Sequence, residues 1–334
     1  MKITVLGSGA WGTALALVLH DNGHDVTLWS FLAQETETLQ KTHENPMLKG
    51  VSLPDGMTFT NAFDSVTESE LVVFATPSFA VRQTAKAAAP YLKPGTTVVS
   101  VTKGIEANTG LRMTEIIRQE IKDSCKVVAL SGPSHAEEVG RKIPTGVVAA
   151  CEDLEAAQLV QDTFMNPVFR VYTNPDIVGV ELGAALKNVI ALCCGVSDGM
   201  GLGDNTKALM MTRGMTEMAR LGVAMGGQSD TFAGLSGMGD LIVTCTSMHS
   251  RNRRAGILVG QGRTAQEAMK EVGAVVEGYY AADSAHMLAE KMGVDMPICR
   301  CAYEVLYQGK RVEEVVDELM GRAKKDELLE RTWL

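Results

Sequence analysis

The first half of the chain alternates short apolar, β-branched runs with helical stretches, which predicts strands separated by helices. Several runs are apolar at consecutive positions, as is typical of parallel strands covered on both faces. The predicted strands are 2–6, 25–29, 71–75, 97–101, 127–130 and 146–150, with a further strand at 169–172. The predicted helices between them include 13–22, 79–89 and 109–121. This alternation indicates an α/β fold with a doubly wound parallel sheet.

The pattern changes near Asn174 and Pro175. Beyond them the chain is rich in Ala, Leu, Met, Glu and Lys and carries few strand signals, so it predicts helices. The predicted helices are 179–194, 205–221, 251–260, 264–272, 278–292, 297–307 and 312–320. We therefore predict an N-terminal α/β domain over residues 1–175 and an all-helical domain over residues 176–334.

A glycine-rich loop follows the first predicted strand. The segment Gly7-Ser8-Gly9-Ala10-Trp11-Gly12 matches G-x-G-x-x-G and opens a helix, which is the context that the motif requires. The first glycine permits a tight turn, the second lets the backbone approach a pyrophosphate, and the third allows the helix to pack closely on the strand. The free N–H groups of the helix start favour an anion. The loop therefore predicts a Rossmann-like dinucleotide site.

The choice between NAD and NADP stays open at this point. A site for NAD usually has an acidic residue about 20 residues further on, at the end of the second strand. That strand ends here in Leu28-Trp29-Ser30-Phe31, and the first acid is Glu35. The segment also has no nearby Arg or Lys to hold a 2′-phosphate.

Composition narrows the class of protein. The 334 residues are 46% hydrophobic and 21% charged, with a net charge of −9, which argues against nucleic acid or an anionic membrane as partner. The seven cysteines form no C-x-x-C pair, which argues against a metal site and a disulfide framework and favours a reducing cytoplasm. The opening MKITVLG is too short for a signal peptide, and no apolar run reaches the about 18 residues of a membrane span.

Two lysines are candidates for the chemistry of a dehydrogenase, which needs a group that accepts the hydroxyl proton as hydride leaves. Lys187 lies on an otherwise apolar predicted helix, where desolvation would lower its pKa toward a useful range. The alternative is a lysine that extends its charge to solvent. Lys103 follows a predicted strand, and ligands of open α/β sheets bind beyond the carboxyl ends of strands. Its alternative is an exposed loop lysine.

Polar candidates for substrate binding lie in the helical half. Asp240 stands among glycines, so a substrate can approach its carboxylate, although Asp is also a favoured helix N-cap. The run Ser250-Arg251-Asn252-Arg253-Arg254 places cations at a helix start, where they are normally disfavoured. A bound phosphate would explain them, and a solvated charged turn is the alternative.

The segment 131–136 follows another strand and either borders the same crevice or forms an ordinary turn. His135 and His249 lie in or near these candidate segments, and neither has a partner at metal-ligand spacing, so we assign no metal.

These segments together resemble one family, the bacterial-type NAD(P)-dependent glycerol-3-phosphate dehydrogenases. The matching motifs are GSGAWGTALA at 7–16, VTKGIE at 101–106, SGPSHAEEV at 131–139, ELGAALKNVIAL at 181–192, GLSGMGDLIVTCTSMHSRNRR at 234–254 and VVEGYYAA at 275–282. They cover nearly the whole chain in the family's order. The resemblance implies a Rossmann domain followed by a helical domain like that of 6-phosphogluconate dehydrogenase. It also implies a cytoplasmic homodimer that makes sn-glycerol 3-phosphate from dihydroxyacetone phosphate for phospholipid synthesis, without insertion into a membrane.

The resemblance also implies residue roles. Lys187 matches the proton acceptor, and Lys103 matches a residue that touches both cofactor and substrate. The positions that match substrate contacts are Gly132, Ser134, Asp240, Ser250, Arg251 and Asn252. The positions that match cofactor contacts are Ala10, Trp11, Ala136, Arg251, Val275 and Glu277, beside the loop glycines Gly7, Gly9 and Gly12. The family often has Arg or His where this chain has Phe31, which leaves NADP binding open.

Two other functions are compatible with parts of the pattern. One is a dehydrogenase of the same plan that acts on a 3-hydroxy acid or a phosphogluconate; a 3-hydroxy acid lacks the phosphate that the arginine cluster would need. The other is a nucleotide-sensing protein without catalysis, which need not retain Lys187, Lys103 and Asp240 together.

Overall fold

The computed structural model describes residues 1–121 and 125–327. Its centre is an eight-stranded sheet with the order β3-β2-β1-β4-β5-β6-β7-β8. The strands are β1 Lys2–Leu6, β2 Asp25–Trp29, β3 Thr58–Thr60, β4 Leu71–Phe74, β5 Thr97–Ser100, β6 Lys126–Ser131, β7 Thr145–Ala150 and β8 Phe169–Asn174. Every predicted strand is present within two residues of its predicted ends, and β3 is an addition.

The strands are not all parallel. Strands β1 to β6 run in one direction, whereas β7 pairs antiparallel with β6 and β8 runs parallel with β7. The connection from β6 to β7 contains only the four-residue helix Ala136–Val139, which is too short to cross over the sheet. The doubly wound sheet is therefore confirmed for its first six strands, and its last two are reversed.

Helices cover both faces of the sheet and form the rest of the chain. Beside the sheet lie α1 Ala10–Asp21, α2 Ala33–Thr42, α3 Val81–Ala88, α4 Met113–Glu120, α5 Ala136–Val139 and α6 Leu154–Phe164, with 3₁₀ turns at Asp64–Glu68, Ser78–Ala80 and Ala89–Tyr91. Beyond the sheet lie α7 Ile177–Gly199, α8 Gly203–Ala224, α9 Ser229–Phe232, α10 Asp240–Thr246, α11 Arg251–Gly260, α12 Ala265–Val272, α13 Glu277–Met292, α14 Pro297–Gln308 and α15 Val312–Met320.

The second half contains no strand between residues 175 and 327, as its pattern predicts. All seven helices predicted there are present, while the short helices α9 and α10 are additions. Residues 328–334, which the predicted helical domain includes, lie outside the described residues.

Helix α7 is the central helix of the second half, and it is buried along most of its length. Ile177 and Val180 at its start pack against β6 and β7 of the sheet. Helix α11 packs so closely against it that a Cβ at Gly256 would lie 2.0 Å from the carbonyl oxygen of Leu192. Among the described residues α7 alone is long and apolar enough to span a membrane, and 89% of its most apolar window is buried inside the fold. Burial of this kind is also found in the core helix of a soluble protein.

A buried ion pair fixes α7 against the first half of the chain. Glu181 Oε2 accepts hydrogen bonds from Arg112 Nη1 at 2.6 Å and from Thr114 Oγ1 at 2.6 Å, while Oε1 accepts from the backbone N–H of Thr114 at 2.9 Å. Arg112 and Thr114 stand at the start of α4, beside β5 and β6. This contact holds α7 in one position relative to the ends of these strands.

Candidate active site

The glycine-rich loop lies at the carboxyl end of β1, where it meets the end of β4. Gly7 has a φ of +127°, and a Cβ there would lie 2.7 Å from the carbonyl oxygen of Ala75. A Cβ at Gly12 would lie 2.0 Å from the carbonyl oxygen of Gly7. Both positions therefore require glycine, for the turn and for the close packing of α1 on the loop.

The start of α1 fits the pyrophosphate of a dinucleotide. Its N-cap, Gly9, supplies no side-chain hydrogen bond, and its first turn carries no acid. A Cβ at Gly9 would meet no atom within 4 Å, so the space above it is open. The indole nitrogen of Trp11 is buried without a hydrogen-bond partner among the described residues. Free N–H groups at the positive end of a helix facing open space are the features that an anionic cofactor group needs.

Asp240 joins the two candidate lysines in one cluster. Its Oδ1 lies 2.6 Å from Lys187 Nζ, and its Oδ2 lies 2.7 Å from Lys103 Nζ. Lys187 comes from the middle of α7, Lys103 follows β5, and Asp240 begins α10 after a π-helical turn at Leu235–Gly239. Thr244, one turn along α10, accepts a further hydrogen bond from Lys187 at 2.7 Å. Three residues far apart in sequence thus meet at the carboxyl edge of the sheet.

The buried cluster of Lys187, Lys103 and Asp240 has a net positive charge. Burial lowers the pKa of Lys187 to about 8, and the Lys103 ammonium adds to this effect, whereas the Asp240 carboxylate opposes it. Burial alone would raise the pKa of Asp240, but the ammonium groups of Lys103 and Lys187 outweigh it and hold that pKa below its usual value. Two ammonium groups around one carboxylate leave one positive charge for an incoming oxygen.

The loop after β6 forms the next wall of the site. Lys103 Nζ donates a hydrogen bond to the carbonyl oxygen of Gly132 at 3.0 Å, and Ser134 Oγ donates to the same oxygen at 2.9 Å. The ring of His135 lies 5.7 Å from the ring of His249, which precedes the start of α11. Burial, followed by the nearby Lys187 ammonium, lowers the pKa of His135 and favours its neutral form. The predicted contacts Gly132 and Ser134 therefore adjoin the lysine cluster.

The start of α11 combines an exposed cation with two buried polar side chains. Ser250 is the N-cap, and its Oγ accepts a hydrogen bond from the backbone N–H of Arg253 at 3.1 Å. Asn252 Nδ2 donates to Asn188 Oδ1 at 2.8 Å, and Asn252 Oδ1 accepts from the backbone N–H of Gly278 at 2.8 Å. Arg251 is exposed. This arrangement fixes the first turn of α11 and leaves Arg251 able to reach a ligand.

The arginine cluster does not act as one group. Arg253 Nε donates to Asp198 Oδ2 at 2.8 Å, and its Nη1 donates to the carbonyl oxygen of Thr246 at 2.7 Å. The guanidinium of Arg253 is therefore hydrogen-bonded to residues of α7 and α10. The interpretation of three arginines around one phosphate is wrong for Arg253, because the i+2 position turns its side chain to another face of the helix.

Glu277 links the start of α13 to the segment after β4. Its Oε2 accepts a hydrogen bond from Ser78 Oγ at 2.7 Å. Burial raises the pKa of Glu277, against the opposing effects of Ser78 and Arg251. Val275 is half-buried just before this helix, and Ala136 is buried at the start of α5. The predicted cofactor contacts are thus distributed over the segments that follow β1, β5 and β6 and over the starts of α11 and α13.

Three polar residues of the site were not identified from the sequence. Thr244 bonds to Lys187, Asn188 orients Asn252, and Ser78 bonds to Glu277. The spacing of four between Asp240 and Thr244 was a usable signal, because it places both side chains on one face of a helix. The other two contacts join distant segments.

Comparison with known proteins identifies the class of the protein. A curated relative from Fusobacterium nucleatum, named "Glycerol-3-phosphate dehydrogenase [NAD(P)+]", is 51% identical over 331 residues, which are 98% of this chain and 99% of the relative. A relative of the same name from Bacillus cereus is also 51% identical, over 98% of this chain and 97% of its own. The solved structure of glycerol-3-phosphate dehydrogenase from Coxiella burnetii has a TM-score of 0.92 and 35% identity, covering 96% of this chain and 98% of its own. This chain is an oxidoreductase that uses a nicotinamide dinucleotide.

Two family profiles make the assignment specific. The profile of the NAD-dependent glycerol-3-phosphate dehydrogenase N-terminus matches residues 2–157, and that of the C-terminus matches residues 176–317. The protein belongs to the NAD-dependent glycerol-3-phosphate dehydrogenase family. The resemblance found in the sequence motifs is thereby confirmed, together with the fold class, the enzyme class and the class of cofactor.

Proposed function

We propose that this protein interconverts dihydroxyacetone phosphate and sn-glycerol 3-phosphate with NAD(P)H, and that Lys187 handles the proton. The observation that carries the proposal is the buried cluster in which Asp240 holds both Lys187 and Lys103 at hydrogen-bond distance. A carbonyl oxygen gains negative charge as it is reduced, and ammonium groups fixed in advance stabilise that charge selectively.

The cofactor would be held along the carboxyl edge of the sheet. Its proposed contacts are Gly7, Gly9, Ala10, Trp11, Gly12, Lys103, Ala136, Arg251, Val275 and Glu277. The open helix start at Gly9 supports the position of the pyrophosphate. When bound, the reduced nicotinamide supplies the hydride.

The substrate would lie between the lysine cluster and the start of α11. Its phosphate is proposed to meet Arg251, Ser250 and Asn252, because a helix start and a guanidinium both favour a phosphate. Gly132 and Ser134 would contact the substrate from the side of the loop after β6. Asp240 orients the lysines, and its carboxylate raises the pKa of Lys187 against the lowering effect of burial.

The proton step would use Lys187. With a pKa of about 8, its ammonium form is abundant near neutral pH and can give a proton to the developing alkoxide of C2. In the reverse direction the neutral amine accepts the hydroxyl proton. Lys103, which contacts the other oxygen of Asp240, would stabilise the same substrate oxygen.

We further propose that two domains, residues 1–175 and 176–334, close this site between them. The end of β8 at Asn174 and the start of α7 at Ile177 support the boundary. We propose that the enzyme acts in the cytoplasm as a homodimer that is not inserted in a membrane and supplies glycerol phosphate for phospholipid synthesis. The absence of a C-x-x-C pair from the sequence agrees with a reducing compartment.

The test is the change in absorbance of NADH and NADPH with dihydroxyacetone phosphate, with unphosphorylated dihydroxyacetone as the matched control. We expect rapid oxidation that requires the phosphate. Equal rates with both ketones would contradict a phosphate site at α11, and absence of turnover with either cofactor would contradict the proposed reaction.

A further inference from the structure

Ser8, the second residue of the glycine-rich loop, is held in one orientation. Its carbonyl oxygen accepts hydrogen bonds from Asn45 Nδ2 at 2.7 Å and from Thr13 Oγ1 at 3.3 Å. Asn45 is itself buried and donates to Thr13 Oγ1 at 2.7 Å. These bonds fix the backbone of Ser8, and its hydroxyl donates a hydrogen bond to Glu35 Oε2 at 3.2 Å.

Glu35 therefore returns to the edge of the sheet, although it stands six residues beyond β2. The chain leaves β2 at Trp29 and begins α2 at Ala33, which places Glu35 in the first turn of that helix. An acid is favoured in the first turn of a helix. The carboxylate thus lies between the end of β2 and the glycine-rich loop, which is where acidic residues of NAD sites bind the adenosine ribose.

The segment that follows β2 offers no cation to a 2′-phosphate. The segment 30–40 contains no Lys, Arg or His. Phe31, two residues after the end of β2, is 74% exposed and makes an edge contact with Trp29, at 6.3 Å between ring centroids. An exposed aromatic face at this place suits an adenine ring.

We infer that Glu35, oriented by Ser8, binds the vicinal hydroxyls of the adenosine ribose and that this chain prefers NAD to NADP. The inference rests on the proposed cofactor site. A carboxylate accepts hydrogen bonds from the two hydroxyls, whereas a phosphate monoester at the 2′ position would bring a second anion against Glu35 without a compensating cation from segment 30–40. Phe31 contributes stacking that is the same for both cofactors.

Direct binding of each reduced cofactor to the purified enzyme, followed by nucleotide fluorescence without substrate, tests the inference. We expect the wild type to bind NADH at least about tenfold more tightly than NADPH, the effect of losing one hydrogen bond to a charged group. The variant E35Q should lower this preference by about tenfold, mainly by improving NADPH binding relative to NADH. F31R should strengthen NADPH binding further.

The matched control is E37Q, in the same helix. Glu37 is exposed and pairs with Lys41 at 3.5 Å, so its removal should leave the preference unchanged. If the wild type binds NADPH as tightly as NADH, or if E35Q weakens both cofactors equally, Glu35 only supports the loop and the inference is overturned. If the wild type binds neither cofactor, the proposed function fails and the inference fails with it.

Discussion

Lys187 Nζ lies 2.6 Å from Asp240 Oδ1, and both side chains are almost completely buried. Such a pair is costly to assemble, because each charge leaves water, and it is retained here with a second lysine on the other carboxylate oxygen. The pairing fixes the position of Lys187, while burial and the nearby Lys103 ammonium lower its pKa against the effect of Asp240. Both properties are needed by a group that exchanges a proton with substrate.

Replacing Lys187 with Ala should reduce kcat by about a hundredfold to ten-thousandfold, the usual contribution of a positioned proton donor. The fold should persist, because Asp240 keeps Lys103 as its partner. Steady-state kinetics with saturating cofactor measure the loss, and T244V serves as a milder comparison that removes one hydrogen bond but keeps the charge. Weakened cofactor binding with normal turnover at saturation would refute this role for Lys187.

The two directions of the reaction should have opposite pH dependence. Reduction of the ketone needs the ammonium form of Lys187, so kcat should fall as the pH rises through about 8, whereas oxidation should rise over the same interval. In D240N the carboxylate that raises the pKa of Lys187 is lost, so the inflection should move to lower pH. Rate profiles in both directions measure the shift, and an inflection that stays in place in D240N would assign it to another group.

Replacement of Gly12 and of Gly9 by Ala should have different effects on stability and on NADH binding. In G12A the new Cβ meets the carbonyl oxygen of Gly7 at 2.0 Å, so the backbone must move and stability should fall by about 1–3 kcal/mol. In G9A the new Cβ meets no atom within 4 Å, so stability should be unchanged while the methyl group occupies the space proposed for the pyrophosphate. Thermal unfolding and NADH titration of both variants separate the effects. Unimpaired NADH binding by G9A would move the pyrophosphate elsewhere.

Glu217 should make stability depend on pH. It is buried beneath α14, accepts backbone N–H bonds from Ile298 and Cys299, and burial raises its pKa to about 7. In the unfolded chain the Glu217 carboxyl loses its proton near pH 4.5. The contribution of Glu217 to the free energy of unfolding is therefore greatest below that pH, and it is lost as the pH rises to about 7. E217Q should reduce the change in the free energy of unfolding over this pH interval by up to about 3 kcal/mol. Urea unfolding of wild type and E217Q at both ends of the pH interval measures this change. An equal change in the free energy of unfolding for the two proteins would contradict the assignment to Glu217.

The sequence predicted residue types better than it predicted contacts. Lys187, Lys103 and Asp240 were each identified from their local surroundings, and each had an ordinary alternative such as a surface lysine or a helix cap. Their meeting in one cluster depends on α7, β5 and α10 converging, which no local pattern contains. The same limit applies to Glu35, whose contact with Ser8 depends on the path between β2 and α2.

Elements were missed where the burial pattern is weak. Strand β3 has only three residues, and α2 buries only Thr36 and Leu39, so neither carries a clear apolar period. The reversal of β7 was also unpredicted, because strand direction is set by the connection and not by the strand's own residues. Long helices such as α13 were found within one residue of their ends, since their apolar period and their terminal glycines agree.

The length of α7 between Ile177 and Lys187 determines where the lysine lies in the site. Strands β7 and β8 run antiparallel to β6, and α7 begins with Ile177 packed against β6 and β7, so about 15 Å of helix separate Ile177 from Lys187. A single residue deleted between these points would rotate the lysine by about 100° and turn it away from Asp240. Insertions in surface loops are tolerated far more readily, so we expect the proposed role of Lys187 to depend on an unchanged spacing from Ile177 to Lys187.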